Sequence, residues 1–313
     1  MTPVWFVGLA ITSYLTTITV RSVARYIGVL DEPNQERWHT IATPNIGGIS
    51  FYVGILVWQN CHPTDLSSQQ FLCITVLFIT GLIDDLRRLQ PIHKSILIVV
   101  AILIDLHPWQ DAVPLSSIIL KGGFLFFFCN SFNIYDNMDG VASTNALLAA
   151  LFYSIAFQSP FAIVLCAVLV GFLPFNLPKA SIFMGDCGSL ILGYSIASIM
   201  IEAIEESRAL TSQVIVLSPL LIIIFDSICV TLTRVARKQH ISQGGKDHCA
   251  HRIARSLRSE KKAFMVLVIA QAYMVGGGFL LITYFQENSL LQFTFYIPII
   301  TMFVQIYKTT TAT

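Results

Sequence analysis

Apolar residues along the chain occur in long blocks separated by short polar stretches. The blocks run for about 15 to 22 residues, and a helix of about 20 residues crosses the ~30 Å apolar core of a bilayer. They lack the ten-residue alternation of an outer-membrane barrel, so helices are the structure that satisfies the backbone in lipid. The pattern predicts an all-α integral membrane protein, a polytopic bundle of about eleven transmembrane helices, at residues 3–22, 47–61, 71–83, 94–107, 115–132, 144–158, 161–175, 188–204, 213–235, 263–284 and 290–307.

Basic residues are distributed unevenly between the two sets of loops that such a bundle creates. Of the 19 Lys and Arg residues, all but Lys121 and Arg208 fall on one side, which the positive-inside rule assigns to the cytoplasm. An odd number of spans then puts the N-terminus outside and the C-terminus in the cytoplasm. We expect residues 1–313 to form a single membrane-embedded domain, with the first block retained as a span rather than cleaved as a signal peptide.

Composition supports the membrane assignment. Hydrophobic residues make up 55% of the chain and charged residues only 12%, about half of the ~25% found in soluble domains, and the mean hydropathy is +0.70. No nucleic-acid partner is expected, although the net charge of +1 by itself says nothing about nucleic acid. The seven cysteines include no CxxC pair, so no disulfide framework is predicted.

The polar groups that suggest chemistry lie on the basic side. In GLIDDLRRLQPIHK, Asp84 and Asp85 end one apolar block, and Lys94 begins the next, from where its side chain can reach back to the pair. Adjacent carboxylates at a membrane boundary need solvent or a bound cation. A helix end capped by solvated charge, with Arg87 and Arg88 as neighbours, is the simpler alternative.

A second group lies in NSFNIYDNMDG, where Asn130, Asn133, Asp136 and Asp139 recur every third residue at a helix exit. On a helix this spacing keeps amide and carboxylate groups on one slowly drifting face. Such a stripe is costly in a span without a ligand, so it predicts a binding surface, with hydrogen bonding between helices as the alternative.

A third group lies in NLPKASIFMGDCGSLILGY, where Gly185 and Gly188 flank Asp186 at the start of a span. A helix N-terminus favours phosphate, and a carboxylate beside a phosphate needs a cation between them. Mg²⁺ fits, because it takes oxygen ligands from one or two carboxylates and from substrate phosphates. Phe183, three residues earlier, either stacks on a base or packs in the core.

The fourth group is the loop at residues 240–262, in which Gly244 and Gly245 permit a tight turn. Its side chains with hydrogen-bond donors suited to phosphate are Lys246, His248, His251, Arg252 and Arg255. Binding of anionic lipid is the simpler alternative for the basic run that follows. A zinc site formed by His248, Cys249 and His251 would lack a fourth ligand.

Together these groups provide acids for Mg²⁺, glycine-supported amides and a basic clamp at one membrane surface. That inventory suits phosphoryl transfer between a soluble nucleotide compound and a lipid-borne acceptor. A polytopic ion-coupled transporter with intramembrane carboxylates is the rival interpretation, with Asp226 as its best candidate. It predicts polar residues near mid-span and repeated halves, whereas no repeat is visible here.

Six segments, in order, resemble the polyprenyl-phosphate N-acetylhexosamine-1-phosphate transferases of glycosyltransferase family 4. They are DEPNQERWHTIATPNIGG (31–48), GLIDDLRRLQPIHK (81–94), NSFNIYDNMDG (130–140), FNLPKASIFMGDCGSLILGY (175–194), PLLIIIFDS (219–227) and QGGKDHCAHR (243–252). The loop reads DHCAHR, without three adjacent histidines, which indicates the WecA- and WbpL-like branch rather than the related MraY branch.

The resemblance implies a glycosyl-1-phosphate transferase. Such an enzyme transfers an N-acetylhexosamine 1-phosphate from a UDP-sugar to undecaprenyl phosphate, releases UMP and initiates a cell-surface polysaccharide such as the O-antigen of lipopolysaccharide. Its implied location is the bacterial inner membrane, with the active site on the cytoplasmic face, and a homodimer is one option for its assembly. The sequence does not distinguish UDP-GlcNAc from donors such as UDP-FucNAc or UDP-QuiNAc.

The resemblance also implies residue roles. Asp186 resembles the main Mg²⁺ ligand, with Mn²⁺ as a substitute ion. Asp84 and Asp85 resemble a pair near the metal and the lipid phosphate, one of them a base or nucleophile, and Lys94 is a further catalytic candidate. Residues expected to bind the donor are Asn130, Asn133, Asp136, Asp139, Asn176, Phe183, His248, His251 and Arg252. Direct attack by the lipid phosphate is favoured over a phospho-enzyme, because Mg²⁺ and the basic clamp lower the charge barrier.

Overall fold

A computed structural model describes residues 1–33, 41–109, 113–207, 210–239, 245–285 and 289–311. Within these ranges the chain forms thirteen α-helices and one antiparallel pair of two-residue strands, β1 (Leu30–Asp31) and β2 (Thr43–Pro44). The helices are α1 (Pro3–Ile27), α2 (Ile49–Cys61), α3 (Ser68–Arg87), α4 (Pro91–Leu106), α5 (Leu115–Tyr135), α6 (Val141–Ala156), α7 (Pro160–Asn176), α8 (Gly185–Glu206), α9 (Leu210–Val216), α10 (Leu221–Ala236), α11 (Cys249–Leu257), α12 (Glu260–Tyr284) and α13 (Ser289–Thr311). Residues 34–40 of the first motif and Gly244 of the last one lie outside the described residues.

The all-α membrane architecture predicted from the sequence is confirmed. Each predicted span overlaps a helix, and six helices in the described ranges are long and apolar enough to cross a membrane: Pro3–Ile27, Ser68–Arg87, Leu115–Tyr135, Gly185–Glu206, Gln213–Ala236 and Glu260–Tyr284. Shorter apolar helices accompany them. The count of eleven crossings, the orientation in the membrane and the single domain stay predictions.

The predicted span at 213–235 coincides with the candidate span Gln213–Ala236, but its helix is not regular throughout. The chain there forms α9, a short 3-10 turn and α10. Pro219 lies in the turn, and a proline inside a helix removes one N–H and crowds the preceding turn. Buried side chains supply partners for carbonyl groups at the break: Tyr153 donates its hydroxyl to Val216 at 2.9 Å, and Gln271 donates its amide to Pro219 at 2.6 Å. The irregular backbone is therefore satisfied inside the protein, as lipid requires.

Helix α8 lies at the centre of the bundle. In its most apolar window 89% of the residues are buried, against 17% for α1. It packs most extensively against α3 and α5, and glycines allow the close approach. A Cβ at Gly193 would lie 2.5 Å from the carbonyl oxygen of Phe128, and one at Gly81 would collide with the backbone of Asp186 and Cys187. The C-terminal end of α3 is thereby held against the first turn of α8.

Helix α1 packs against α7 through small residues. Ser13 on α1 donates its hydroxyl to the carbonyl of Val168 at 2.6 Å. Gly171 on α7 faces the same stretch of α1: a Cβ there would lie 2.8 Å from the Cβ of Ser13 and 2.9 Å from the backbone nitrogen of Tyr14. Close backbone approach at small residues is a common way for membrane helices to associate.

Replacing Gly171 with leucine should therefore force α1 away from α7. Overpacking of this kind costs about 1–3 kcal/mol, so we expect a lower thermal unfolding midpoint in detergent. Gly8→Leu is the matched control, because Gly8 lies on α1 and nothing lies within 4 Å of where its Cβ would be. Equal midpoints for the two variants would contradict the close packing of α1 on α7.

Candidate active site

A backbone ladder joins the segment after β2 to the segment that leads into α8. Phe183 donates its N–H to the carbonyl of Pro44 at 2.8 Å. In return, Gly47 donates to Phe183 at 2.9 Å and Gly48 donates to Met184 at 2.7 Å. The first and fourth sequence motifs are thus paired strand-like at the base of α8.

Gly185 makes the turn from this ladder into α8. Its φ of +70° lies in the left-handed region that favours glycine, and a Cβ would lie 2.6 Å from Oδ2 of Asp85. The turn directs the first amides of α8 toward α3. Asp85 accepts the N–H of Asp186 on Oδ1 at 2.8 Å and the N–H of Cys187 on Oδ2 at 3.0 Å, and Asn45 donates its side-chain amide to Oδ1 at 3.2 Å. Asp85 therefore caps the N-terminus of α8 from a different helix.

Asp84 faces a different set of groups. Its Oδ1 accepts the N–H of Leu89 at 2.5 Å, and its Oδ2 lies 3.0 Å from Nζ of Lys94. The same Nζ donates to Oδ1 of Asn133 at 3.1 Å and pairs with Oδ2 of Asp186. Asn133 in turn donates its side-chain amide to Oδ1 of Asp186 at 2.7 Å. We call Asp84, Lys94, Asn133 and Asp186 the carboxylate–lysine cluster.

The carboxylate–lysine cluster gathers side chains from four helices, α3, α4, α5 and α8. The sequence predicted that Lys94 reaches back to the aspartate pair, and this contact is present. The side chains of Asp84, Lys94 and Asp186 are 14%, 14% and 26% exposed, so the cluster is open to a ligand from outside.

The oxygens of this cluster fit a cation. Three of them, from Asp84, Asn133 and Asp186, converge on one positively charged nitrogen. Among the described residues, no group of three or more His, Cys, Asp or Glu side chains could hold a metal ion by itself. Mg²⁺ does not need such a group, because it commonly binds one or two carboxylates and takes its other ligands from water and substrate phosphates.

A second polar group lies where α10 meets α11. Asp226 is fully buried on α10, and its carboxylate accepts Nδ1–H of His248 at 2.9 Å, the N–H of Cys249 at 2.7 Å and the hydroxyl of Tyr307 at 3.1 Å. Nε2 of His248 lies 3.4 Å from an Nη of Arg234, which can only donate. Nδ1 of His248 is the nitrogen that donates to Asp226, since a carboxylate can only accept.

Asp247, in the last of the six motifs, links Arg234 of this group to Arg252. Arg234 holds the Asp247 carboxylate with two hydrogen bonds, at 2.9 and 2.8 Å, and Nε of Arg252 donates to the Asp247 carbonyl at 2.7 Å. Burial raises the pKa of Asp247, but the Arg234 guanidinium outweighs it and holds the pKa below its ordinary value. Asp247 therefore stays ionised. Its carboxylate holds Arg234, and its backbone carbonyl holds Arg252.

His251 joins the loop before α11 to the end of α5. Its Nε2 lies 3.1 Å from the carbonyl oxygen of Asn137, so that nitrogen donates. Burial lowers the pKa of His251 to about 4. The imidazole is consequently neutral at pH 7 and acts as a hydrogen-bonding group rather than as a cation.

The predicted polar stripe on one helical face is wrong for its second half. Helix α5 ends at Tyr135, so Asp136 is its C-cap and Asp139 lies beyond it. Oδ2 of Asp139 accepts the backbone N–H groups of Lys179 and Ala180 at 3.0 and 2.8 Å. The stripe fails because the left-handed Gly140, φ +71°, starts α6 in a new direction.

Two other predicted donor-binding amides also make internal bonds. Asn130 donates to the carbonyl of Phe126 at 2.8 Å. Asn176 is buried, accepts the hydroxyl of Ser143 at 2.6 Å and donates to Ile182 at 3.1 Å. These bonds order the segments beside the site. The substrate-binding roles of both residues, and of Asp136, Asp139 and Phe183, stay predictions.

The sequence did not single out Asn45, which donates to Asp85, or Ser189, whose hydroxyl accepts the side-chain amide of Asn133 at 3.0 Å. Nor did it single out the paired Arg234 and Asp247. Asp226 was noted only as the best candidate of a transporter. A charged residue within an apolar segment is the one signal that marked Asp226 and Arg234. Asn45 and Ser189 carried no signal, because polar residues at helix ends are common.

Comparison with known proteins identifies the family. Residues 69–204 match the family model of glycosyl transferase family 4. That stretch contains Asp85 and the whole carboxylate–lysine cluster. The chain belongs to this family.

Relatives of this family 4 enzyme match most of its length. A probable undecaprenyl-phosphate N-acetylglucosaminyl 1-phosphate transferase of Bacillus subtilis is 28% identical over 299 residues, which cover 87% of this chain and 81% of the relative. An undecaprenyl-phosphate alpha-N-acetylglucosaminyl 1-phosphate transferase of Thermotoga maritima is 30% identical, over 59% of this chain and 60% of the relative. The enzyme of the same name in Salmonella typhi is 25% identical, over 84% of this chain and 80% of the relative.

These matches confirm two predictions from the motifs. The family is that of the polyprenyl-phosphate N-acetylhexosamine-1-phosphate transferases, and the enzyme class is glycosyl-1-phosphate transferase. The transporter interpretation is set aside, and its best candidate, Asp226, is occupied by three hydrogen-bond donors of the protein.

The low pKa of His251 predicts an acid-sensitive fold. An ordinary histidine in the unfolded chain titrates near ~6.5. Because the folded value of about 4 is lower, the unfolded state takes up the proton first. Stability is therefore full above pH ~6.5 and falls as the pH drops toward 4, by about 2 kcal/mol at pH 5.

We expect His251→Gln to flatten the decline of the unfolding midpoint between pH 7 and pH 5, measured by thermal unfolding in detergent. His93→Gln is the control, because His93 is exposed. A decline in His251→Gln as steep as in His93→Gln would refute the assignment.

Proposed function

We propose that this enzyme transfers an N-acetylhexosamine 1-phosphate from a UDP-sugar to undecaprenyl phosphate, giving an undecaprenyl-diphospho-sugar and UMP. The observation that carries the proposal is the carboxylate–lysine cluster, in which acids from distant segments meet at one end of the bundle. UDP-GlcNAc is the favoured donor, because the relatives are named as N-acetylglucosaminyl 1-phosphate transferases. UDP-FucNAc and UDP-QuiNAc are the alternative donors.

The cluster supports a magnesium-dependent reaction, with Mn²⁺ as a substitute ion. The carboxylates of Asp84 and Asp186 would hold the ion, beside the amide oxygen of Asn133. When bound, Mg²⁺ would neutralise charge on the diphosphate and on the departing UMP. The role of Asp85 is positional, because both of its oxygens accept backbone N–H groups of α8. Lys94 then provides a positive charge beside the phosphates.

Direct attack by the lipid phosphate is the mechanism we propose. Asp84 takes the proton of the undecaprenyl phosphate, whose oxygen forms a bond to the β-phosphorus of the UDP-sugar. The bond from that phosphorus to the bridging oxygen breaks, and UMP leaves. Asp84 suits the role of base better than Asp85, since both oxygens of Asp85 accept backbone N–H groups of α8, whereas Oδ2 of Asp84 faces Lys94.

Three residues of the last of the six motifs, His248, His251 and Arg252, would bind the donor diphosphate. His248 and Arg252 are fixed by Asp226 and Asp247, and His251 is fixed by the carbonyl of Asn137. The positive-inside distribution supports a cytoplasmic active site in a bacterial inner membrane. The product would begin a cell-surface polysaccharide such as an O-antigen.

Release of UMP tests the reaction. Purified enzyme should release UMP only when undecaprenyl phosphate, a divalent ion and a matching UDP-sugar are all present. EDTA should stop the release, and Mg²⁺ or Mn²⁺ should restore it. A panel of UDP-GlcNAc, UDP-GalNAc, UDP-FucNAc and UDP-QuiNAc identifies the donor. Absence of UMP with every member of the panel would reject the proposed reaction.

Three conservative variants test the residue roles. Asp84→Asn and Asp186→Asn should abolish UMP release while keeping the wild-type unfolding midpoint. Asp85→Asn should abolish release and also lower the midpoint, because an amide loses the charge that caps α8. Asp65→Asn is the control, because Asp65 is exposed in a loop. Near-normal turnover in Asp186→Asn or Asp84→Asn would overturn the site.

The direct mechanism predicts that no phosphoryl group is attached to the enzyme. Incubation with a UDP-sugar labelled in the β-phosphate, without the lipid, should leave the protein unlabelled after acid quenching. Asp84→Asn serves as the comparison. Label on the wild type that is absent from Asp84→Asn would establish a phospho-aspartate instead.

A further inference from the structure

The C-terminal helix α13 carries none of the motifs found in the sequence. One of its side chains nevertheless lies between Asp226 and Arg252 of the second polar group. Tyr307 is buried, and its hydroxyl donates to Oδ1 of Asp226 at 3.1 Å. Its ring lies under the guanidinium of Arg252, whose Cζ is 4.2 Å from the ring centroid. A single tyrosine thus contacts an acid on α10 and a base on α11.

The hydroxyl of Tyr307 acts on His248 through Asp226. Oδ1 of Asp226 accepts both this hydroxyl and the N–H of Cys249, which leaves Oδ2 for Nδ1–H of His248 at 2.9 Å. A buried carboxylate is stabilised by each donor it accepts, and its orientation fixes the imidazole. Loss of the hydroxyl would free the carboxylate to rotate, and the imidazole with it.

The ring of Tyr307 acts on Arg252 directly. A guanidinium stacked on an aromatic face is attracted to it and keeps its plane, while its N–H groups point outward along the edge. Nε of Arg252 already donates to the carbonyl of Asp247 at 2.7 Å, so the ring and this bond together define the plane of the guanidinium. A fixed plane is what bidentate recognition of a phosphate requires.

Helix α11 depends on such support because it is short. It has nine residues, and a helix of that length is not stable alone in water. It packs against α12 and α13, so its two donor-site residues are held by neighbouring helices. From α13, the ring of Tyr307 contacts Arg252 of α11.

We propose that Tyr307 is a positioning residue for the UDP-sugar, which sets the orientation of His248 through Asp226 and of Arg252 through its ring. The inference rests on the proposed function for the role of these two residues in binding the donor diphosphate. The C-terminal helix is then part of the site. The hydroxyl of Tyr307 orients His248, and its ring orients Arg252.

Two variants separate those tasks. Tyr307→Phe removes the hydroxyl and keeps the ring, whereas Tyr307→Leu removes both. Tyr273→Phe is the matched control: Tyr273 on α12 also donates its hydroxyl, to the carbonyl of Phe295 at 3.1 Å, outside the site. Steady-state release of UMP gives kcat and the KM values for donor and lipid.

We expect Tyr307→Phe to raise the donor KM about tenfold, the loss that corresponds to one hydrogen bond to a charged group, with little change in lipid KM. Tyr307→Leu should raise it further. In a double-mutant cycle, Tyr307→Phe should add nothing to Asp226→Asn, because both act through one carboxylate. The proposal would be overturned if Tyr307→Phe and Tyr273→Phe had the same donor KM. It would also be overturned if Tyr307→Phe lowered only kcat, and only in proportion to the fraction of protein that is unfolded.

A second measurement needs no turnover. Arg255 and Arg258 are exposed on and just after α11, so trypsin reports how firmly that helix is held. Tyr307→Leu should be cut there faster than wild type, and Tyr273→Leu should not. If wild type releases no UMP from any donor, the proposed function fails while this result still reports on Tyr307. Equal cleavage of the two variants would show that α13 does not hold α11.

Discussion

The site depends on the hydrogen bonds that the first backbone N–H groups of α8 donate to the carboxylate of Asp85. The start of a helix leaves N–H groups without intrahelical partners, and burying them without partners is costly. One side chain from α3 satisfies two of these groups and places a negative charge at the positive end of the helix dipole. This is compatible only with glycine at position 185, where a Cβ would meet the same carboxylate. The main role of one of the two adjacent aspartates is therefore architectural.

Once α3 is fixed on α8, the other aspartate has a defined neighbourhood. Asp84 and Asp186 approach each other at the ends of their helices, where two negative charges would repel in a partly desolvated setting. Lys94 lies between them and neutralises part of that charge. Two acids and an ammonium group from separate helices therefore meet at one end of the bundle.

In the second polar group, the buried negative charges are stabilised in a different way. Asp226 is fully buried, and three hydrogen-bond donors, from His248, Cys249 and Tyr307, satisfy it. Asp247 is paired with a guanidinium that holds it in two bonds. Both acids fix basic or imidazole side chains rather than binding a cation themselves. The acids of the first group therefore share a lysine, whereas those of the second hold imidazole and guanidinium groups in place.

Much of this protein is determined by the sequence alone. Apolar blocks of membrane-spanning length predict the helices, and six ordered motifs predict the family. The pairing of Lys94 with Asp84 was also expected from their positions at facing helix ends. The unequal roles of Asp84 and Asp85 were not, since adjacent residues of one type look equivalent in a sequence and differ only in what they face.

Only the tertiary structure decided where α5 ends, where the span at 213–235 is interrupted and which residues surround Asp226. Tyr307 is 81 residues from Asp226, and no local pattern connects them. The physical reason is that local sequence governs which segments are helical and buried, through hydrogen bonding and hydropathy along the chain. Pairing of buried polar groups depends instead on which helices pack together, and that choice is made across the whole bundle.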